Sequence, residues 1–221
     1  MVEYSPSEFS GKEGYSMVQT KTKIKMCGLR RPEDIGAVNE LKPEYIGFVF
    51  FPGSKRYVTP ETAKTLRAGL NPGIKAVGVF VDEEPEKVAR LLEEGVIDIA
   101  QLHGHEDETY LAELRKKTDK PLIRAFRIRS AEDAQQAQAS TAEQILLDAG
   151  AGDGKTFDWS WLKEVTRPYF LAGGLNPENA GEAVKKLKPY AVDVSSGIET
   201  EGYKDINKMR AFVRAVREEQ V

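Results

Sequence analysis

The chain has 221 residues, 40% apolar and 30% charged, with a net charge of −3, the balance of an ordinary globule with enough Val, Ile, Leu and Phe for a sizeable core. Its Lys and Arg residues are scattered among Asp and Glu, which excludes the electrostatic footprint of a nucleic-acid or anionic-membrane binder and points to a small soluble ligand. No apolar run approaches the ~18 residues of a spanning helix, no signal peptide is visible, and one cysteine with two histidines makes neither an internal disulfide nor a good zinc set; a cytoplasmic, metal-free protein is expected.

Residues 1–22 are polar and aperiodic, and read as an N-terminal extension ahead of a single domain spanning residues 23–221. From Lys23 onward, short β-branched or aromatic runs alternate with longer amphipathic stretches, the signal of βα units around a parallel sheet. The predicted strands are Lys23–Met26, Tyr45–Phe50, Lys75–Val81, Ile97–Leu102, Leu122–Phe126, Gln144–Leu147, Tyr169–Ala172 and Ala191–Val194. Each precedes a predicted helix: PEDIGAVNEL, PETAKTLRAGL, PEKVARLLEEG, DETYLAELRKK, AEDAQQAQA, SWLKEV, PENAGEAVKKL and INKMRAFVRAVREE. A strand start every ~20–30 residues matches a minimal (β/α)8 barrel of the TIM type, whose chemistry sits at the carboxyl ends of its strands.

The polar residues at those ends are therefore the candidates. In KIKMCG, alternation along the strand puts Ile24 and Met26 on one face and Lys25 and Cys27 on the other, so if the first pair faces the helices, Lys25 and Cys27 face the barrel interior. A lysine beneath a thiol favours thiolate, which makes Cys27 a candidate base; the plainer reading is a small buried hydrophobe. Lys55 and Arg56 follow the second strand in FPGSKRY, and the Arg56 fork suits a carboxylate unless the loop is merely solvated. Asp82 fits a cap for the helix opening at Pro85. QLHG sets Gln101 and His103 on one strand face, with His103 in a supporting role; His105 is expected to be solvent-exposed.

Asp148 ends the apolar strand QILLD, where desolvation would help it keep a proton as a general acid; a loop or cap role is the alternative. Glycine-bearing segments then follow strands six to eight: GAGDGK with Gly154, AGGL with Gly173 and Gly174, and SSG with Ser196 and Gly197. Their backbone amides at consecutive late strand ends predict a phosphate site. Asp193 shares its parity with Ser195, so an inward Ser195 implies an inward Asp193, paired with Lys25 across the barrel closure or reaching substrate hydroxyls.

Taken in order, KIKMCG, GFVFFPGSKRY, VGVFVD, QLHG, LLDAGAGDGKTFDW, LAGGLNPEN and VDVSSGIE resemble the phosphoribosylanthranilate isomerase family of tryptophan biosynthesis, over Lys23 to about Arg217. The resemblance implies a (β/α)8 barrel that performs an Amadori rearrangement of N-(5-phosphoribosyl)anthranilate without metal or cofactor. It places the family's base on Cys27, its acid on Asp148, its anthranilate-binding arginine on Arg56 and its phosphate loops on Gly154, Gly173, Gly174, Ser196 and Gly197. A phosphosugar ligand, no nucleic acid or membrane partner, and a monomer or homodimer are the corresponding expectations. Two departures stand out: Asp153 replaces the family's hydroxyl residue near the phosphate, and Met26 replaces its common isoleucine. The competing readings are a histidine-pathway isomerase, an indole-glycerol-phosphate synthase, or a barrel that kept phosphate binding and lost its chemistry.

Overall fold

The computed structural model describes residues 21–148 and 159–219; residues 1–20 of the predicted N-terminal extension, Asp153 and Gly154 lie outside these residues. Eight parallel strands, β1 (Lys23–Cys27), β2 (Tyr45–Val49), β3 (Lys75–Phe80), β4 (Ile99–Leu102), β5 (Leu122–Arg127), β6 (Gln144–Asp148), β7 (Tyr169–Ala172) and β8 (Ala191–Val194), follow one another in a closed barrel. Closure pairs β8 with β1 and sets Asp193 opposite Lys25. The outer ring comprises α1 (Pro32–Leu41), α2 (Pro60–Ala68), α3 (Pro85–Glu93), α4 (Glu108–Arg115), α5 (Ala131–Ala139), α6 (Ala180–Leu187) and α7 (Ile206–Glu218). A short antiparallel hairpin, β9 (Glu199–Thr200) and β10 (Tyr203–Lys204), stands between β8 and α7.

Strand parity divides the interior as the alternation predicts. Ile24 and Met26 join the core between strands and helices, whereas Tyr45, Val77, Ile99, Ile123, Leu146, Phe170 and Ala191 fill the barrel. Above that plug the inward positions turn polar or small: Lys25, Gln101 and Asp193 are buried, and Cys27 packs with Val49 and Val79. Helix starts carry their own caps. Thr59, Asp107, Ser130 and Asp205 each accept a backbone N–H from the first turn of α2, α4, α5 and α7.

Many strand and helix ends shift by a residue or two from the sequence expectation, and three differences have a clear local reason. The SWLKEV segment forms a 3-10 helix over Trp159–Glu164, because the run is short and Pro168 biases the residue before it away from helix. Helix α6 starts at Ala180 and not at Pro177: the Asn176 side chain accepts the N–H groups of Glu178 and Asn179 and holds a turn there. Strand β4 starts at Ile99 because the Val96 and Ile97 N–H groups still bond to Leu91 at the end of α3. Among the described residues, no helix is long and apolar enough to cross a membrane.

Candidate active site

The carboxyl ends of the strands surround a cavity of about 950 Å³. Cys27 from β1, Arg56 from the β2 loop, Gln101 and His103 from β4, Asp148 from β6, Gly173 and Gly174 after β7, and Asp193 and Ser196 from the β8 side all line it. Sequence separations of more than a hundred residues are thus collapsed into one concavity, because every inward strand end converges on the barrel mouth.

Cys27 owes its position to two glycines. A Cβ on Gly47, across the β1–β2 ladder, would lie 2.7 Å from the Cys27 sulfur, so only glycine leaves room for the thiol. Gly28 turns at φ 81°, and a Cβ there would collide with Cδ of Arg56. The glycine turn after the cysteine therefore lets the Arg56 side chain lie against the residue next to the thiol. The Ser195 hydroxyl donates to the Cys27 carbonyl at 3.0 Å, fastening the end of β8 to the end of β1.

Lys25 is fully buried and its ammonium donates to Asp193 at 2.9 Å. This is the predicted closure pair. Its consequence for the thiol runs against the sequence reading, in which Lys25 favours thiolate. Burial pushes the Cys27 thiol above its ordinary value and Asp193 adds to the rise, against the downward pull of Lys25 and Lys204. The lysine charge is shared with a carboxylate, so it only partly offsets desolvation. Lys25 itself is pulled down by burial, but Asp193 and Cys27 leave it above the ordinary lysine value. One Asp193 oxygen, Oδ1, is buried without a hydrogen-bond partner.

On the opposite wall, Gln101 Nε2 lies 3.0 Å from Nδ1 of His103, and His103 Nε2 lies 3.2 Å from Oδ2 of Asp148. If Gln101 donates through its amide, the ring carries its proton on Nε2 and donates to the Asp148 carboxylate. His103 thus stands directly behind the candidate acid.

Arg56 is not an open fork. Its Nε and Nη2 each donate to Glu199 at 2.7 Å, and Lys204 donates to the same carboxylate at 2.6 Å. Burial pushes the Glu199 carboxyl up, but Arg56 and Lys204 hold it below its ordinary range. Sequence reasoning missed Glu199 and Lys204. The one available signal was an acid closing VDVSSGIE, and its partner comes from a loop about 140 residues away.

The glycine positions serve different ends. Gly173 and Gly174 have φ of 95° and 66°, a backbone that L side chains rarely adopt, and both face the cavity. Gly197 does not line the cavity; a Cβ there would collide with the Leu175 carbonyl, so its glycine lets the β7 and β8 loops touch. Asp82 does not cap α3, whose N-cap is Glu84. Held at φ 51°, it accepts from the His105 N–H and faces the ring Nδ1 at 2.9 Å, joining the β3 and β4 loops. His105 is exposed as expected but paired. Among the described residues, no cluster of His, Cys, Asp and Glu is arranged to hold a metal ion.

Residues 24–215 match the profile of the N-(5'-phosphoribosyl)anthranilate isomerase family. The chain belongs to that family. A phosphoribosylanthranilate isomerase of Endomicrobium trichonymphae is 46% identical over 200 residues, covering 88% of this chain and 98% of the relative. The phosphoribosyl anthranilate isomerase of Thermotoga maritima superposes with a TM-score of 0.82 at 36% identity, over 89% of this chain and 99% of that one. A further isomerase structure, solved with reduced 1-(o-carboxyphenylamino)-1-deoxyribulose 5-phosphate, gives a TM-score of 0.80 at 35% identity, over 89% of this chain and 99% of the other. The (β/α)8 expectation and the family resemblance agree with all three.

Proposed function

We propose that this barrel converts N-(5-phosphoribosyl)anthranilate to 1-(2-carboxyphenylamino)-1-deoxyribulose 5-phosphate in tryptophan biosynthesis, with Asp148 as general acid and Cys27 as general base. The observation that carries the assignment of roles is that these two side chains, one at the end of β1 and one at the end of β6, line the same cavity. An acid and a base facing one space from separate strands suit a proton relocation with no net redox change.

In this reading Asp148 gives its proton to the ribose ring oxygen as the C1′–O bond breaks and the anilino nitrogen supplies its lone pair to form the C1′=N bond. Cys27, as thiolate, then removes the proton from C2′; the C–H electrons form C1′=C2′ and the C=N electrons return to nitrogen, giving an enolamine. Tautomerisation to the ketone completes the isomerisation. A buried thiol with an elevated pKa ionises rarely, but the thiolate it yields is a strong base. His103 donates to the Asp148 carboxylate left after the first step and keeps it in place, with Gln101 fixing the ring.

The three parts of the substrate have three regions to meet. Arg56 is offered to the anthranilate carboxylate, the Cys27–Asp148 space to the sugar, and the backbone around Gly173, Gly174 and Ser196 to the phosphate. Gly197 supports the last by letting its two loops approach, and Gly154, which follows β6 in the sequence, is proposed to contribute as well. The test follows the fluorescence loss of phosphoribosylanthranilate with purified protein, alongside growth rescue of a tryptophan auxotroph. No consumption by well-folded protein would favour the non-catalytic phosphate-binding barrel.

A further inference from the structure

We infer that Glu199 is a positioning residue that sets which edge of Arg56 meets the substrate, and so makes the β9–β10 hairpin part of the selection for a carboxylate on the aromatic ring. The inference rests on the reading of Arg56 as the carboxylate-binding residue.

A guanidinium carries five N–H donors in a fixed plane. Glu199 takes the Nε–H and one Nη2–H at 2.7 Å each, which leaves both Nη1 donors and the second Nη2 donor. A carboxylate can therefore still bind in bidentate fashion, but only on the Nη1–Nη2 edge. With the other edge covered and the Arg56 stem lying over Gly28, the Nη1–Nη2 edge is the one left to a carboxylate in the cavity that Arg56 lines. The plane of the fork is set before the ligand arrives.

Charge points the same way. Arg56, Lys204 and Glu199 amount to two cations on one carboxylate, and Glu199 and the Lys204 side chain are 8% and 2% exposed. Among the described residues, neither cation pairs with a second carboxylate. The cluster thus carries one positive charge in excess, and a single anionic group on the substrate would balance it. The hairpin is also strapped to the β2 loop: Arg30 donates to the Lys55 carbonyl at 3.0 Å and to the Gly202 carbonyl at 2.6 Å. Glu199 and Arg56 consequently hold their relative positions through backbone contacts beyond their own ion pair.

The test measures binding by titration calorimetry for two ligands: reduced 1-(o-carboxyphenylamino)-1-deoxyribulose 5-phosphate and its counterpart lacking the ring carboxylate. Wild type, Glu199→Gln and Arg56→Gln are compared. Glu199→Gln is expected to weaken the carboxylate ligand about 10-fold and the decarboxylated ligand by less than about twofold. Equal weakening of both ligands, or no weakening of the first, overturns the inference. Arg56→Gln should also weaken the carboxylate ligand selectively; if it does not, the carboxylate reading of Arg56 fails and takes this inference with it. Should Glu199→Gln fail to fold, Glu199→Asp keeps the charge but retracts it, and the same selective loss is required.

Discussion

Asp193 takes up the charge of Lys25 directly beneath Cys27, with 2.9 Å between ammonium and carboxylate. The pair joins the first strand to the last, and it also adjusts the proton affinity of the thiol above it, which burial raises first and Lys25 and Asp193 pull in opposite directions. A single buried contact therefore both serves barrel closure and bears on the proposed base.

Substituting Asp193→Asn separates these roles. Leaving Lys25 buried without its counter-charge should cost about 3–5 kcal/mol, seen as a fall in Tm on the order of 10 °C. The same change removes an anion that raises the thiol pKa and frees Lys25 to face the sulfur. The pH midpoint for alkylation of Cys27 by iodoacetamide should then move downward. An upward or unchanged midpoint would show that Asp193 does not govern the thiol.

For the native enzyme the sign is opposite. Because burial holds the Cys27 thiol above its ordinary value, the proposed base is protonated at neutral pH, and kcat/KM should keep climbing as pH rises through and beyond the usual thiol range. A profile that is flat from neutrality upward would rule out a high-pKa base. Cys27→Ser should cut turnover at least ~100-fold with the fold intact, and Asp148→Asn likewise.

His103 is expected to act through Asp148. Replacing it by alanine removes the ring nitrogen 3.2 Å from Oδ2, and the loss of that support should lower kcat by up to about 100-fold. KM should change far less, since the proposed phosphate and carboxylate contacts are elsewhere. A loss confined to KM would place His103 in binding and not behind the acid.

Two glycines should respond in opposite directions. Gly197→Ala drives a Cβ into the Leu175 carbonyl, a backbone collision expected to cost about 1–3 kcal/mol or more. Gly36 sits within α1, is exposed, and a Cβ added there would meet nothing within 4 Å; Gly36→Ala should stabilise by about 0.4–1 kcal/mol. Thermal melts of both variants check the pair, and a stabilised Gly197→Ala would contradict the close approach of the β7 and β8 loops.

Periodicity along the chain was sufficient for the barrel, because each βα unit writes its own pattern: alternation or apolar runs for strands, capped amphipathic stretches for helices. It also put Asp148 at a strand end and grouped Lys25 with Cys27 on one strand face and Asp193 with Ser195 on another, since side chains alternate with a period of two wherever the strand is regular. What it could not supply was distance between segments far apart in the chain. That Asp193 shares the Lys25 charge and raises the thiol, that Glu199 grips both Arg56 and Lys204, and that Asp82 turns to His105 and not to α3 all depend on which loops meet at the mouth. Such contacts are fixed by barrel closure and loop packing, and electrostatic balance at a buried site is a sum over neighbours in space; the local sequence names the groups, and only the fold selects their partners.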